Sequence, residues 1–187
     1  WEYDGRRWVR MSTEGPSPRF WPSMAYDRRR GVTVLFGGGT YDGRYTRFGD
    51  TWEWDGVQWS LRATEGPSAR YGAAMAYDED RGVIVLYGGN QVGAEYGEMW
   101  EWDGQSWAEN LAGSHLPMTL HQLVYDSARR VLVLNGLGRT WEFNGVEWVD
   151  RQASPGANYA AMVYDSARGV VVLHRGDETW EWDGESW

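Results

Sequence analysis

The chain has 187 residues, 42% of them hydrophobic and 24% charged, enough to bury a sizeable core and be read as a single domain over 1–187. It has no Cys, and all 18 basic residues are Arg, which excludes disulfides, thiolate metal sites, Cys nucleophiles, Schiff-base lysines and a P-loop lysine. A net charge of −9 argues against a nucleic-acid surface, and no apolar stretch approaches the ~18 residues of a membrane span, so the reading is of a soluble chain without membrane insertion or leader.

Residues 1–10 open on Trp1-Glu2-Tyr3-Asp4-Gly5 and close on Trp8, a short hairpin. The same device returns as Trp52-Glu53-Trp54-Asp55-Gly56 with Trp59, then from Trp100 with Trp107, from Trp141 with Trp148, and from Trp180 with Trp187. Every Trp but Trp21 belongs to it. The leading Trp falls at positions 1, 52, 100, 141 and 180, a spacing of roughly 40 to 50 residues that marks propellers or solenoids.

A second element precedes each later copy. Ala25-Tyr26 ends one run, Asp27 to Gly31 turns it, and Val32-Thr33-Val34-Leu35-Phe36 returns to Gly37-Gly38. Tyr77, Tyr125 and Tyr164 start the corresponding hairpins. Val83 to Tyr87, Val131 to Leu134 and Val170 to Leu173 are apolar without alternation, which predicts strands covered on both faces. Trp52-Glu53-Trp54 alternates with period two, and Asp55-Gly56 predicts a two-residue type I′ turn. The units 16–61, 67–109, 117–150 and 155–187 therefore each read as four short strands in two hairpins, which bury their faces only when stacked as blades around an axis.

Leu35-Phe36-Gly37-Gly38 with Trp54 and Trp59, and Leu86-Tyr87-Gly88-Gly89 with Trp102 and Trp107, resemble the kelch repeat of β-propellers, including those of galactose-oxidase-like central domains. The later units depart from it, with Gly136-Leu137 and Arg175-Gly176 in place of the Gly doublet. The resemblance implies an all-β, kelch-like β-propeller of four complete four-stranded blades plus an N-terminal half blade, in a five-bladed ring or part of a larger one. Its first strands would lie nearest the axis and Trp59, Trp107, Trp148 and Trp187 on the outer strands. For function it is unspecific, because kelch propellers serve as protein-binding platforms, carbohydrate-active enzymes and oxidases.

The chemistry is sparse. An oxidase of the galactose-oxidase type needs a Cys and clustered copper ligands; the chain has neither the Cys nor, in its three His, an evident ligand set. His115, His121 and His174 read as solvated or hydrogen-bonded residues at loop edges rather than a metal site. Arg175-Gly176-Asp177 occupies a turn position and reads as a turn. The repeated Glu2, Glu53, Glu101, Glu142 and Glu181 are unsuited to paired-carboxylate catalysis, which needs two unequal environments. They read as structural partners of the equally repeated Arg30, Arg81, Arg129 and Arg168. No catalytic residue, metal site or cofactor is assigned.

Function is expected where the copies differ. The loop between second and third strands runs from Gly39 to Gly49 in the first full unit, with Tyr41, Arg44, Tyr45, Arg47 and Phe48, and from Asn90 to Gly97 in the second, with Tyr96; it shrinks afterwards. The lead-in segments beside it carry Arg19-Phe20-Trp21, Arg70-Tyr71, Leu120-His121 and Asn158-Tyr159. Aromatic and Arg side chains on irregular loops have hot-spot composition. The expected binding residues are Arg19, Trp21, Tyr41, Arg44, Tyr45, Arg47, Arg70, Tyr71, Tyr96 and His121, for a protein or peptide partner or, alternatively, a glycan. Arg70 and Trp21 are expected to tolerate replacement without unfolding.

Five Trp-Glu-aromatic hairpins against four Tyr-Asp hairpins leave the first one unpaired. The expectation is that the parent sequence continues past Trp187 with an apolar hairpin that completes the first blade, and that without it the chain self-associates through the exposed edge. Abundant Arg, Gly, Ala and Trp without Lys suggest a GC-rich coding sequence, and the chain is read as part of a larger bacterial polypeptide.

Overall fold

A computed structural model describes residues 1–91, 93–156 and 160–187, with Gln152 by its backbone alone. β1 (Glu2–Tyr3) and β2 (Trp8–Val9) form a lone hairpin, followed by the first blade: β3 (Ser23–Asp27), β4 (Val32–Phe36), a small hairpin of β5 (Gly39–Tyr41) and β6 (Tyr45–Arg47), then β7 (Thr51–Trp54) and β8 (Trp59–Ala63). The second blade repeats this with β9 (Ala74–Asp78), β10 (Val83–Tyr87), β11 (Asn90–Gln91), β12 (Ala94–Glu95), β13 (Met99–Trp102) and β14 (Trp107–Asn110). A 3₁₀ turn at Leu111–Gly113 leads on to the third blade, β15 (Gln122–Asp126), β16 (Val131–Gly136), β17 (Arg139–Phe143) and β18 (Trp148–Ala153). The fourth contains β19 (Ala161–Asp165), β20 (Val170–Arg175) and β21 (Glu178–Trp182), after which Asp183–Trp187 turns back.

The blades are antiparallel meanders, ordered β3-β4-β7-β8, β9-β10-β13-β14, β15-β16-β17-β18 and β19-β20-β21. Their first strands β3, β9, β15 and β19 lie side by side, which places them innermost, with Trp59, Trp107 and Trp148 on the outermost strands. The chain is therefore an all-β propeller.

The second strands are apolar on both faces because each face meets a different neighbour. Val34 and Phe36 of the first blade pack on Met75, Ile84, Leu86 and Trp102 of the second. Val85 and Tyr87 turn the other way, onto Leu132, Leu134, Trp141 and Phe143 of the third, and Val133 meets Val171 and Trp182 of the fourth.

The conserved spacing of acids and Arg within the repeat has a geometric cause. Asp27 Oδ1 accepts from the Arg30 backbone N–H at 3.0 Å while Oδ2 accepts from Arg30 Nε at 2.6 Å, and Arg30 NH1 reaches Glu53 at 2.5 Å. Arg81 links Asp78 to Glu101, Arg129 links Asp126 to Glu142, and Arg168 links Asp165 to Glu181. Each blade's two hairpins are thus clamped by one guanidinium, as the sequence predicts. The same Glu also reaches the next blade: Trp54 Nε1 donates to Glu2 at 2.6 Å, Trp102 to Glu53 at 3.0 Å and Trp182 to Glu142 at 2.9 Å. Phe143 stands where the third blade would have that Trp, and Glu101 accepts from Asn110 instead.

The Asp-Gly turns differ from the expected two-residue type I′ form. Trp54 pairs directly with Trp59, so four residues make the loop, and only Gly56 is left-handed, at φ 93°. Asp55 Oδ1 accepts the backbone N–H of Val57 and Gln58, both at 2.8 Å, so the side chain closes the turn that a second left-handed residue would have closed.

Candidate functional site

The long second-to-third-strand loops stand at the blade lead-in rim because Phe20 bridges to Gly39, and Tyr71 to Asn90, as isolated antiparallel pairs. Asp42-Gly43 turns the first loop, with Gly43 at φ 100°, which lets Tyr41 and Tyr45 pair across β5 and β6. Their rings lie 4.7 Å apart. Phe20 meets Tyr45 at 6.5 Å and Tyr71 at 6.0 Å, both edge-on, and Trp21 lies 5.4 Å from Tyr71. The Arg47 guanidinium sits 5.3 Å from the Tyr71 ring and 6.0 Å from that of Tyr45. Together Phe20, Trp21, Tyr41, Tyr45, Arg47 and Tyr71 line an open basin of about 570 Å³.

Two features set this basin apart from ordinary loop surface. Trp21, Tyr41 and Tyr45 are 51%, 61% and 61% exposed, a contiguous aromatic patch of the kind that marks interaction sites. Trp21 also holds φ 48°, the left-handed region that costs a bulky residue about 1 kcal/mol or more. Its counterpart in the second blade is Gly72, at φ 64°, and Gly72 N–H donates to the Trp21 carbonyl at 3.1 Å. The turn demands that backbone, and the first blade places a Trp ring there. Among the described residues the one charged lining side chain is Arg47, so the basin suits an aromatic or apolar group accompanied by a hydrogen-bond acceptor or an anion.

Five of the ten expected residues, Trp21, Tyr41, Tyr45, Arg47 and Tyr71, converge here, and Phe20 joins them. Phe20 was visible in the sequence only as the neighbour of Trp21; its role follows from the bridge to Gly39. Arg44 lies at the exposed tip beyond Asp42 and does not line the basin. Asn158-Tyr159 lies outside the described residues.

Arg19, Arg70, Tyr96 and His121 do not line the basin: Arg70 and His121 are buried, the Arg19 side chain is 5% exposed, and Tyr96 is half-buried against Arg70. Arg70 is 1% exposed; it donates to Gly88 O at 3.1 Å, to Ser68 and to Glu98 at 2.8 Å, with its guanidinium 3.9 Å from the Tyr96 ring. Arg19 does the same one blade earlier, to Gly37 O at 2.9 Å and Asp50 at 2.8 Å, 4.1 Å from the Phe48 ring. These are buried clasps that tie the lead-in segment to the loop, leaving the guanidinium no free face. Burial raises the Asp50 and Glu98 carboxyls, but hydrogen bonds from Arg19 and Trp52, and from Arg70 and Trp100, outweigh it and hold both below their ordinary range.

His121 is 4% exposed, with Nε2 3.1 Å from the Tyr87 carbonyl. Burial drives its pKa down from 6.5 to about 4, against the opposing pull of the Tyr87 carbonyl, so the ring is neutral in the folded protein. A base with a depressed folded pKa contributes stability above its unfolded pKa and loses it as pH falls toward the folded one. Stability is therefore expected to decline from about pH 6.5 downward by up to roughly 3 kcal/mol from this group. In His121→Gln, which keeps a donor for Tyr87, the decline between pH 6.5 and 5 should shrink in urea melts to the part left by His115, whose pKa burial also lowers; an unchanged slope there would show that another group carries it.

The other His residues are separate features: His115 stacks 6.1 Å from Trp148, and His174 Nδ1 lies 3.1 Å from Thr179 Oγ1. Among the described residues no three His, Asp or Glu are grouped to hold a metal ion.

No protein-family model matches the chain, and no curated protein matches it significantly. Among solved structures, 130 chains match. One, described as the structure of YjhT, superposes with a TM-score of 0.68 at 15% identity over 88% of this chain, which spans 60% of that one. At that identity the likeness establishes the fold alone.

Proposed function

We propose that the chain is a non-catalytic, kelch-like binding module that takes a protein or peptide partner on the aromatic basin at its lead-in rim. The observation that carries this reading is the exposed ring of Trp21 beside Tyr41, Tyr45 and Tyr71, at a left-handed turn position that Gly72 fills in the second blade and the less exposed Leu120 in the third. An exposed cluster of aromatic rings beside an Arg has the composition of an interface hot spot. The partner inserts an aromatic, Pro or other apolar side chain between the rings and sets a carboxylate or carbonyl against Arg47, the lining cation.

A peptide array beside a glycan array tests this. The expected result is a set of peptides sharing an apolar anchor next to an acidic residue. Replacing Trp21 by Gly should weaken them by ~1 to 4 kcal/mol, about 5- to 1000-fold. The same change relieves about 1 kcal/mol of backbone strain while removing exposed ring contacts, so the melting temperature should move by only a few degrees. Glycan hits without peptide hits would replace the peptide reading by a carbohydrate one, and full affinity in Trp21→Gly would move the site off this basin.

A further inference from the structure

Each blade interface follows one recipe. The first strand of one blade offers small residues, Ala25, then Ala74 and Ala76, then Val124, to an apolar residue and Tyr on the next: Met75 and Tyr77, Leu123 and Tyr125, Met162 and Tyr164. Met75, Leu123 and Tyr125 are buried in this way. Met24 and Tyr26 hold the same places on β3 but are 50% and 56% exposed. The lone hairpin contributes Glu2 to Trp54, as an outer pair of strands does elsewhere, yet among the described residues no strand pairs inward of it. β1 is paired only with β2, whereas β7, β13, β17 and β21, its counterparts, are each paired on the inner edge with an apolar second strand. Between that free edge and the first blade lies a groove of about 170 Å³ lined by Trp1, Glu2, Met24, Thr33 and Trp54.

We infer that this groove is the seat of a two-stranded apolar β-hairpin of the repeat's own Tyr-Asp type, which adds its second strand to the free edge of β1 and covers Met24 and Tyr26 with small residues of its first. Three blade interfaces in the same molecule show what covers such a face, and strand addition supplies the backbone hydrogen bonds that Glu2 and Tyr3 lack on that side. The occupant is another polypeptide segment; a second copy of this chain would have to open one of its own blades to supply it. The inference is independent of the rim basin, which lies at the end of the first blade on Phe20, Trp21 and the small hairpin.

The test uses the whole chain with a cyclised peptide copying residues 73–88, which includes the β9–β10 hairpin. Because isolated hairpins are marginal in water, a second form carries the hairpin joined after Trp187 through a copy of Ser60–Ala73, the segment that follows the equivalent Trp59. The expected result in either form is slower amide exchange at Glu2 and Tyr3, by about tenfold or more, and protection of Met24 from peroxide. Met24→Asp, at an exposed position, should leave the chain folded and abolish the slower exchange at Glu2 and Tyr3. No protection in either form, equal protection by a scrambled sequence, or a chain that alone forms a dimer with Met24 already protected would each overturn the inference.

Discussion

Replacing Arg70 with Ala is expected to lower stability by roughly 3 kcal/mol or more, because a fully buried side chain is truncated and the buried Gly88 carbonyl loses its donor, although Glu98, 34% exposed, regains water. Arg70 satisfies four groups at once: Ser68 O at 2.9 Å, Ser68 Oγ at 2.8 Å, Gly88 O at 3.1 Å and Glu98 at 2.8 Å. Its plane also fills the space beneath Tyr96. Ala would leave the Gly88 carbonyl orphaned and a void between the lead-in segment and the loop. Lys cannot rescue it, since a point charge does not reproduce a planar fork. For a chain of this length the loss corresponds to a fall in melting temperature on the order of 10 °C. Urea and thermal melts would check it, with Arg19→Ala as the equivalent in the first blade. The opposite pattern, a stable Arg70→Ala chain with a weakened partner, would return Arg70 to the binding surface.

The sequence makes Arg19 and Arg70 look like Trp21 and Tyr71: large side chains on loops that vary. What separates them is repetition. Ser17-Pro18-Arg19 matches Ser68-Ala69-Arg70, and Phe48-Gly49-Asp50 matches Tyr96-Gly97-Glu98. The argument that makes the repeated Glu structural applies equally to these Arg, but their partners lie some thirty residues away and the pattern spans two separated segments. Trp21 has no such echo, and it alone of the Trp residues stands outside the repeat. The blades were legible because spacing, turn residues and uninterrupted apolar strands all require stacked four-stranded sheets. The basin was legible only as composition. Its shape depends on β5 and β6 forming a hairpin, which the Asp42-Gly43 turn signals, and on the left-handed backbone at Trp21, which no residue type there announces.

Glu142 is where the repeat's internal clamp and its inter-blade contact become one object, and Glu142→Ala is expected to be among the most damaging single changes in the chain. The carboxylate is 1% exposed. It accepts from Arg129, from Arg151 at 2.8 Å and from Trp182 at 2.9 Å, so it joins both hairpins of the third blade to the fourth. Truncation leaves Arg129, whose NH2 is already buried without a partner, with Asp126 alone, and strands the Trp182 N–H in an apolar interface. The expected cost is about 3 to 5 kcal/mol. Glu181 has the same sequence position and the same Arg, but its side chain is 48% exposed, so water takes over both groups and Glu181→Ala should cost less than about 1 kcal/mol. Glu142→Gln should fall between, keeping an acceptor for Trp182 while dropping the charge that faces Arg129 and Arg151. Chemical denaturation of the three variants separates burial from motif, since all alter the same letter of the repeat. Equal losses in Glu142→Ala and Glu181→Ala would mean that the clamp within a blade, common to both, sets stability, and that the bond from Trp182 to the neighbouring blade adds nothing.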